Sequence, residues 1–115
     1  GNFVGPSRVW LMEQDIPGLA MSRSLGDMVA ASVGVSCIPE MKEFNLTSED
    51  KFMIIASDGV WEFLENIDIV RLVAPYYEKG NIEAACDLLL NCALRRWQEE
   101  EENVVDDITL IMLFF

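Results

Sequence analysis

Two apolar segments, each bordered by aspartate, constrain the fold of this chain most strongly. Residues 52–56, Phe-Met-Ile-Ile-Ala, are continuously apolar and are followed at once by the Ser-Asp-Gly of residues 57–59. Ile108–Phe115 is a second apolar run, in which Thr109 is the polar exception. Short apolar runs closed by turn residues predict β-strands, and their lack of alternation predicts burial on both faces.

Aspartates stand at the ends of both predicted strands. Asp58 follows the first strand, where we expect Gly59 to end the pleat because glycine accepts backbone angles that other residues avoid. Asp106 and Asp107 precede the second strand. If the strands are antiparallel neighbours, these ends coincide and the carboxylates meet. The alternative for Asp58 is an aspartate that only caps a turn or the next helix.

Two helices are predicted between these strands. Asn66 is a suitable N-cap for the first helix, which we expect Pro75 to kink or to end one turn early. Gly80 stops that helix, and Asn81 caps a second one that extends to the acidic run Glu99–Glu102. One face of the second helix is predicted to be core: Ala85, Leu88, Leu89, Cys92, Ala93, Arg96 and Trp97.

The first part of the chain contains turn signals and short apolar stretches. Glycine–proline pairs at residues 5–6 and 17–18 mark turns, and Arg8–Met12 between them predicts a short strand. Val33–Leu46 predicts two more short strands, with Pro39 restricting the pairing near it to an edge or a bulge. The predicted fold class is α+β: a partial β-sandwich of mostly antiparallel strands, with a pair of antiparallel helices packed on one face.

The charge and the reactive residue types exclude several classes of function. Eight basic and twenty acidic residues give a net charge of −12, which argues against nucleic acid and anionic membrane surfaces as partners. No apolar run is long enough to predict a membrane span. The absence of histidine removes the usual general acid–base group and the usual zinc ligand. Three cysteines without CxxC spacing indicate reduced thiols and an intracellular protein, cytoplasmic or nuclear.

Converging aspartates without histidine or cysteine suit hard divalent cations, Mg²⁺ or Mn²⁺. Two such ions lower the pKa of a bridging water and hold a phosphate for in-line attack. A covalent phosphoacceptor role for Asp58 is the weaker alternative, because a dehalogenase-type nucleophile needs an acid at position 60, which is Val60. A receiver-type domain is disfavoured by two adjacent helices, 66–98, without an intervening strand.

Four ordered motifs extend over nearly the whole chain. They are PGLAMSRSLGD at 17–27, Pro-Glu at 39–40, ASDGVWE at 56–62 and DDITLI at 106–111. In this order and spacing they resemble the C-terminal half of type 2C protein serine/threonine phosphatases, the metal-dependent PPM family. The resemblance implies half of an α-β-β-α sandwich, with a two-metal centre at one end between the sheets.

The resemblance also implies roles for individual residues. Asp58 and Asp106 match the positions of metal ligands in the family. Asp107 stands where the family usually has asparagine, so either member of the 106–107 pair is a candidate ligand. Arg23 and Asp27 match a motif with a supporting role in positioning the site.

The resemblance implies that residues 1–115 are the C-terminal portion of a catalytic domain. Residues 1–17 resemble the end of a flap-like region, and residues 18–115 the strands and helices of the sandwich. The family's N-terminal motifs, with their Asp-Gly-His ligands and phosphate-binding arginine, are not in this sequence. We therefore expect an incomplete two-metal centre in this chain.

The expected function is hydrolysis of phosphoserine and phosphothreonine in phosphoproteins, by a metal-activated water in the full-length protein. The 115-residue chain alone is expected to be inactive and to self-associate through exposed sheet edges. The alternative function is a non-catalytic acidic interaction module or a pseudophosphatase fragment, which the net charge of −12 favours.

Overall fold

A computed structural model describes residues 5–115, which form two compact units that divide between Phe44 and Asn45. The elements in chain order are β1 (Val9–Leu11), β2 (Gln14–Leu19), α1 (Met28–Ala31), β3 (Phe52–Ala56), α2 (Asp58–Trp61), α3 (Asn66–Tyr77), α4 (Ile82–Glu100) and β4 (Leu110–Phe114). This is the predicted α+β class, with two separate two-stranded antiparallel sheets. Over residues 5–115, no helix combines the length and the apolar character needed to cross a membrane.

The first unit is built on the β1–β2 hairpin, which confirms the strand predicted within Arg8–Met12. The two short strands predicted in Val33–Leu46 are wrong. Ser36 makes one isolated bridge, to Arg23, and residues 37–46 are exposed without regular structure. An apolar run forms a strand only where a neighbouring strand accepts its hydrogen bonds, and the described part of this unit offers none there. The flap-like assignment of residues 1–17 stays a prediction, and residues 1–4 lie outside the described residues.

The second unit is organised by β3 and β4, which pair as antiparallel neighbours, as predicted. Phe52 pairs with Phe114 at one end of the ladder, and Ala56 pairs with Leu110 at the other. One face of this sheet packs on the helices. The buried cluster comprises Val60, Leu64, Ile69, Val73, Ala85, Leu89, Ala93 and Met112.

The prediction that β3 and β4 are buried on both faces is wrong. Ile55 is 54% exposed and its partner Ile111 is 58% exposed, whereas Ile54 and Met112 pack into the core. Successive side chains of a strand point to opposite faces, and α3 and α4 cover only one face of this sheet. The second apolar face is therefore open to solvent in this unit.

The two long helices follow the predicted pattern with small differences at their ends. The N-cap of α3 is Glu65, one residue before the predicted Asn66. Pro75 lies inside the last turn of α3, which ends at Tyr77. Asn81 caps α4 as predicted, since its side chain accepts a hydrogen bond from the Ala84 backbone N–H at 3.1 Å. The buried side chains of α4 lie on the predicted face: Ala85, Leu89, Ala93 and Trp97.

Candidate functional site

The candidate site lies at the edge of the second unit where β3 ends and β4 begins. The last pair of the ladder joins Ala56 to Leu110. Just beyond it, the Ser57 backbone N–H donates to the Thr109 carbonyl at 2.9 Å. This extension brings the turn that contains Asp58 next to the segment that contains Asp107. The sequence-based expectation that these two strand ends coincide is therefore confirmed.

The Ser57 side chain connects the two segments more closely. Its Oγ donates to the Asp107 carbonyl at 3.0 Å and accepts a hydrogen bond from the Thr109 backbone N–H at 3.1 Å. One hydroxyl thus satisfies two backbone groups that lie beyond the end of the regular ladder. Paired backbone groups resist displacement because separating them leaves polar atoms without partners.

Gly59 allows the two segments to approach closely. A Cβ atom at this position would lie 2.5 Å from the Asp107 carbonyl oxygen and 3.0 Å from Cγ1 of Ile108. Gly59 is the second residue of α2 and is not among the glycines with positive φ. The sequence-based explanation, an unusual backbone angle that ends the pleat, is therefore wrong. Glycine is needed here because only a hydrogen atom fits between the two backbones.

Asp58 is the first residue of α2, and its side chain is exposed. Ser57 is the N-cap of this short helix, so Asp58 is not the capping residue that the alternative interpretation proposed. Asp106 and Asp107 are also exposed, and the Asp106 Oδ1 atom accepts a hydrogen bond from the Asp107 backbone N–H at 2.7 Å. The edge therefore offers exposed carboxylates from positions about fifty residues apart in the sequence.

Helix α4 also holds the segment that carries Asp58. The Trp97 indole N–H donates to the Gly59 carbonyl at 2.8 Å, and this bond is buried. The Trp97 ring packs edge-to-face on Phe63, with ring centroids 4.7 Å apart. Sequence reasoning assigned Trp97 only to the core. The available signal was its indole N–H, because a buried tryptophan usually requires an acceptor.

The donor chemistry of this edge fits a hard divalent cation, but the number of donors is small. Carboxylate oxygens from Asp58, Asp106 and Asp107 are the ligand type that Mg²⁺ and Mn²⁺ prefer. In the part of the chain that the structure describes, no group of three His, Cys, Asp or Glu residues is placed to hold a metal ion. The described residues at this edge therefore supply the ligand type of a hard-cation site but not a complete set of ligands.

Arg23 and Asp27 make local contacts within the first unit. Arg23 forms an ion pair with Glu40 at 2.8 Å, and its Nε donates to the Ile38 carbonyl at 3.1 Å. The Asp27 carboxylate caps α1 by accepting a hydrogen bond from the Ala30 backbone N–H at 2.9 Å. These contacts stabilise the fold of the first unit, and the supporting role in the site stays a prediction for both residues.

Comparisons with known proteins identify relatives of this chain. Residues 4–101 match the family model described as Protein phosphatase 2C. The chain is 41% identical over 109 residues to "Probable protein phosphatase 2C 72" of Arabidopsis thaliana, covering 93% of this chain and 32% of that relative. It is 39% identical over 112 residues to "Probable protein phosphatase 2C 48" of Oryza sativa subsp. japonica, covering 96% of this chain and 31% of that relative. The chain thus spans about a third of the length of these relatives. No solved structure matches it.

Proposed function

The chain belongs to the protein phosphatase 2C family, and we propose that it forms the C-terminal part of a catalytic domain that dephosphorylates phosphoserine and phosphothreonine in proteins. The observation that carries this proposal is the junction of the Ser57–Gly59 turn with the Asp107–Thr109 segment. It places two of the four family motifs at one edge of the sheet, with exposed carboxylates on both.

In this proposal, Asp58 and one residue of the Asp106–Asp107 pair hold Mg²⁺ or Mn²⁺, on which the family depends. Such ions, when bound, supply a water of lowered pKa and a clamp for the phosphate oxygens. The remaining ligands come from other parts of the intact protein. The Ser57 hydrogen bonds hold the segment that follows Asp58's strand against the 107–109 segment before any ion binds, so little ordering is required when the ion arrives.

This chain's residues perform the positioning. The Ser57 hydroxyl fixes the distance between the two carboxylate-bearing segments, and Gly59 keeps that distance short. Since the chain contains no histidine, it does not supply the usual general acid for the leaving serine or threonine oxygen. The three described thiols are free, which supports an intracellular location.

We also propose that the 115-residue chain is inactive alone and self-associates. Ile55 and Ile111 leave an apolar sheet face exposed, and a two-stranded sheet has unpaired edges on both sides. Size-exclusion chromatography with light scattering tests this. Association that grows with concentration is expected, whereas a monodisperse monomer would contradict the proposal.

The experiment that tests the function uses the intact protein, a phosphopeptide and Mn²⁺. We expect Asp58→Asn and Asp106→Asn each to lower kcat/KM by about a hundredfold and to weaken Mn²⁺ binding, because each removes a charged ligand. Asp87→Asn is the matched control, since Asp87 is an exposed aspartate on α4, and it should leave both quantities unchanged. Asp107→Asn determines which member of the pair is the ligand.

Two outcomes would reject this function. Unchanged phosphatase activity in the Asp58→Asn/Asp106→Asn double variant would remove the assigned roles. Failure of the intact protein to bind Mn²⁺ at all would favour the alternative of a non-catalytic acidic module, which the net charge of −12 supports. Binding of a basic protein partner, measured against ionic strength, would then be the property to examine.

A further inference from the structure

We infer that Trp97 is a positioning residue for Asp58, acting through the backbone of Gly59. The inference rests on the proposed function, since it concerns how the proposed metal ligand is held. Asp58 and Gly59 are consecutive residues of α2, a helix of a single turn. A helix this short cannot hold its own orientation, because most of its carbonyls lack partners within the helix.

The contact between α4 and α2 has the features of a specific anchor. The Trp97 indole donates to the Gly59 carbonyl at 2.8 Å, and the Trp97 side chain is only 8% exposed. Burial shields this hydrogen bond from competing water, so the carbonyl has no equivalent partner if the indole N–H is removed. Leucine or methionine at this position would fill the core but would leave that acceptor unpaired.

Two consecutive residues of α4 bind carbonyls at the two ends of the segment 59–63, which begins directly after Asp58. While Trp97 binds the Gly59 carbonyl, the Arg96 Nε donates to the Phe63 carbonyl at 3.3 Å. The Phe63 ring also packs against the Trp97 ring, with an interplanar angle of 78°. The segment that carries Asp58 is thus fixed to α4, the longest of the described helices.

The opposing restraint comes from the β4 side. A side chain at position 59 would project toward the Asp107 carbonyl. The carbonyl of Gly59 itself accepts the hydrogen bond from the Trp97 indole. Motion of α2 toward the 107–109 segment is blocked by close contact, and motion away from α4 breaks the indole hydrogen bond. By holding α2 against α4, Trp97 therefore helps to set the separation between Asp58 and the Asp106–Asp107 pair.

The test removes the donor while keeping an aromatic ring. In the intact protein, Trp97→Phe deletes the indole N–H and retains a ring against Phe63. Tyr77→Phe is the matched control, because the Tyr77 hydroxyl donates to the Phe115 carbonyl at 3.0 Å, at the opposite end of the β3–β4 pair. Both variants lose one side chain–backbone hydrogen bond within the same unit.

The first readout is the Mn²⁺ dissociation constant, measured by electron paramagnetic resonance. The others are the midpoint of urea denaturation and the kinetic constants kcat and KM. We expect Trp97→Phe to lose more stability than Tyr77→Phe, because its lost hydrogen bond is buried and the smaller ring leaves a cavity. Only Trp97→Phe is expected to raise the Mn²⁺ dissociation constant, by about fivefold, as one lost hydrogen bond allows. If kcat falls, KM for the phosphopeptide should change little. A Mn²⁺ affinity of Trp97→Phe equal to that of Tyr77→Phe would overturn the inference.

A second variant covers the case in which Trp97→Phe does not fold. Benzothienylalanine at position 97 keeps the bicyclic shape and replaces the N–H by sulfur, so it removes the donor without creating a cavity. It is expected to weaken Mn²⁺ binding as Trp97→Phe does, and native affinity with this residue would overturn the inference. Asp58→Asn separates the two proposals: if Asp58→Asn weakens Mn²⁺ binding while the Trp97 variants do not, only the positioning role fails. If Asp58→Asn binds Mn²⁺ normally, the proposed function itself fails.

Discussion

Replacing Gly59 by alanine tests how closely the two halves of the candidate site approach each other. The added methyl carbon would lie 2.5 Å from the Asp107 carbonyl oxygen, so restoring an ordinary contact of 3.4 Å requires about 0.9 Å of movement. The atom that must move belongs to the backbone and already accepts a hydrogen bond from Ser57. A flexible side chain would yield at little cost, but this carbonyl cannot move without straining that bond.

Three contributions set the magnitude of the Gly59→Ala effect. Overpacking against a backbone atom costs about 3 kcal/mol, at the upper end of the usual range. Losing the Ser57–Asp107 hydrogen bond adds about 1 kcal/mol. The better helix propensity of alanine offsets about 1 kcal/mol within α2. We therefore expect the intact protein to lose about 3 kcal/mol of stability, together with Mn²⁺ affinity.

Urea denaturation of the intact protein, combined with Mn²⁺ titration, measures this effect. Gly80 is the control, because its φ is +63° and, apart from its own backbone and its two chain neighbours, no atom of the described residues lies within 4 Å of an added Cβ. At Gly80 the cost comes from the backbone angle alone, so asparagine should be tolerated better than alanine. At Gly59 the order should reverse, because the larger side chain makes the contact worse. A Gly59→Ala variant with native stability and native Mn²⁺ affinity would refute the close-approach argument.

Two further predictions concern Ser57 and Cys86. Ser57→Ala removes the hydroxyl that donates one hydrogen bond and accepts another between the strand ends. It should lower the free energy of unfolding, measured by urea denaturation, by about 1–2 kcal/mol. Ser57→Thr keeps a hydroxyl and should retain part of this stability. The pKa of Cys86 is raised by burial and by the negative charge of Asp87, so its alkylation, followed by mass spectrometry, should require a higher pH than that of a free thiol. Because the folded state holds this proton more tightly, the resulting stabilisation is present below the thiol pKa of the unfolded chain and is lost as pH rises above 9.0. Cys86→Ala should therefore flatten the decline of the free energy of unfolding at alkaline pH. A stability–pH profile that Cys86→Ala leaves unchanged would contradict this prediction.

Features that depend on near neighbours in the sequence were predictable. The Asn81 cap, the apolar face of α4 and the strand at residues 52–56 all follow from contacts within a few residues, for which spacing is a sufficient guide. The meeting of the strand ends was also predictable, since two adjacent antiparallel strands can place Asp58 and Asp107 only at the same edge. The order of four motifs was sufficient to indicate the family.

Contacts between distant residues were decided by the tertiary structure. The Trp97–Gly59 hydrogen bond joins positions 38 apart, and the packing of Gly59 on Asp107 depends on how α2 lies against the segment that precedes β4. The exposure of Ile55 likewise depends on which face of the β3–β4 sheet the helices cover. Its apolar character alone does not show whether its side chain lies on the covered or the open face. The sequence by itself determined the strands β3 and β4, the helices α3 and α4 between them, and the acids that border the two strands. Only the tertiary structure decided which backbone atoms hold those acids in place, because that depends on packing between segments that no local pattern encodes.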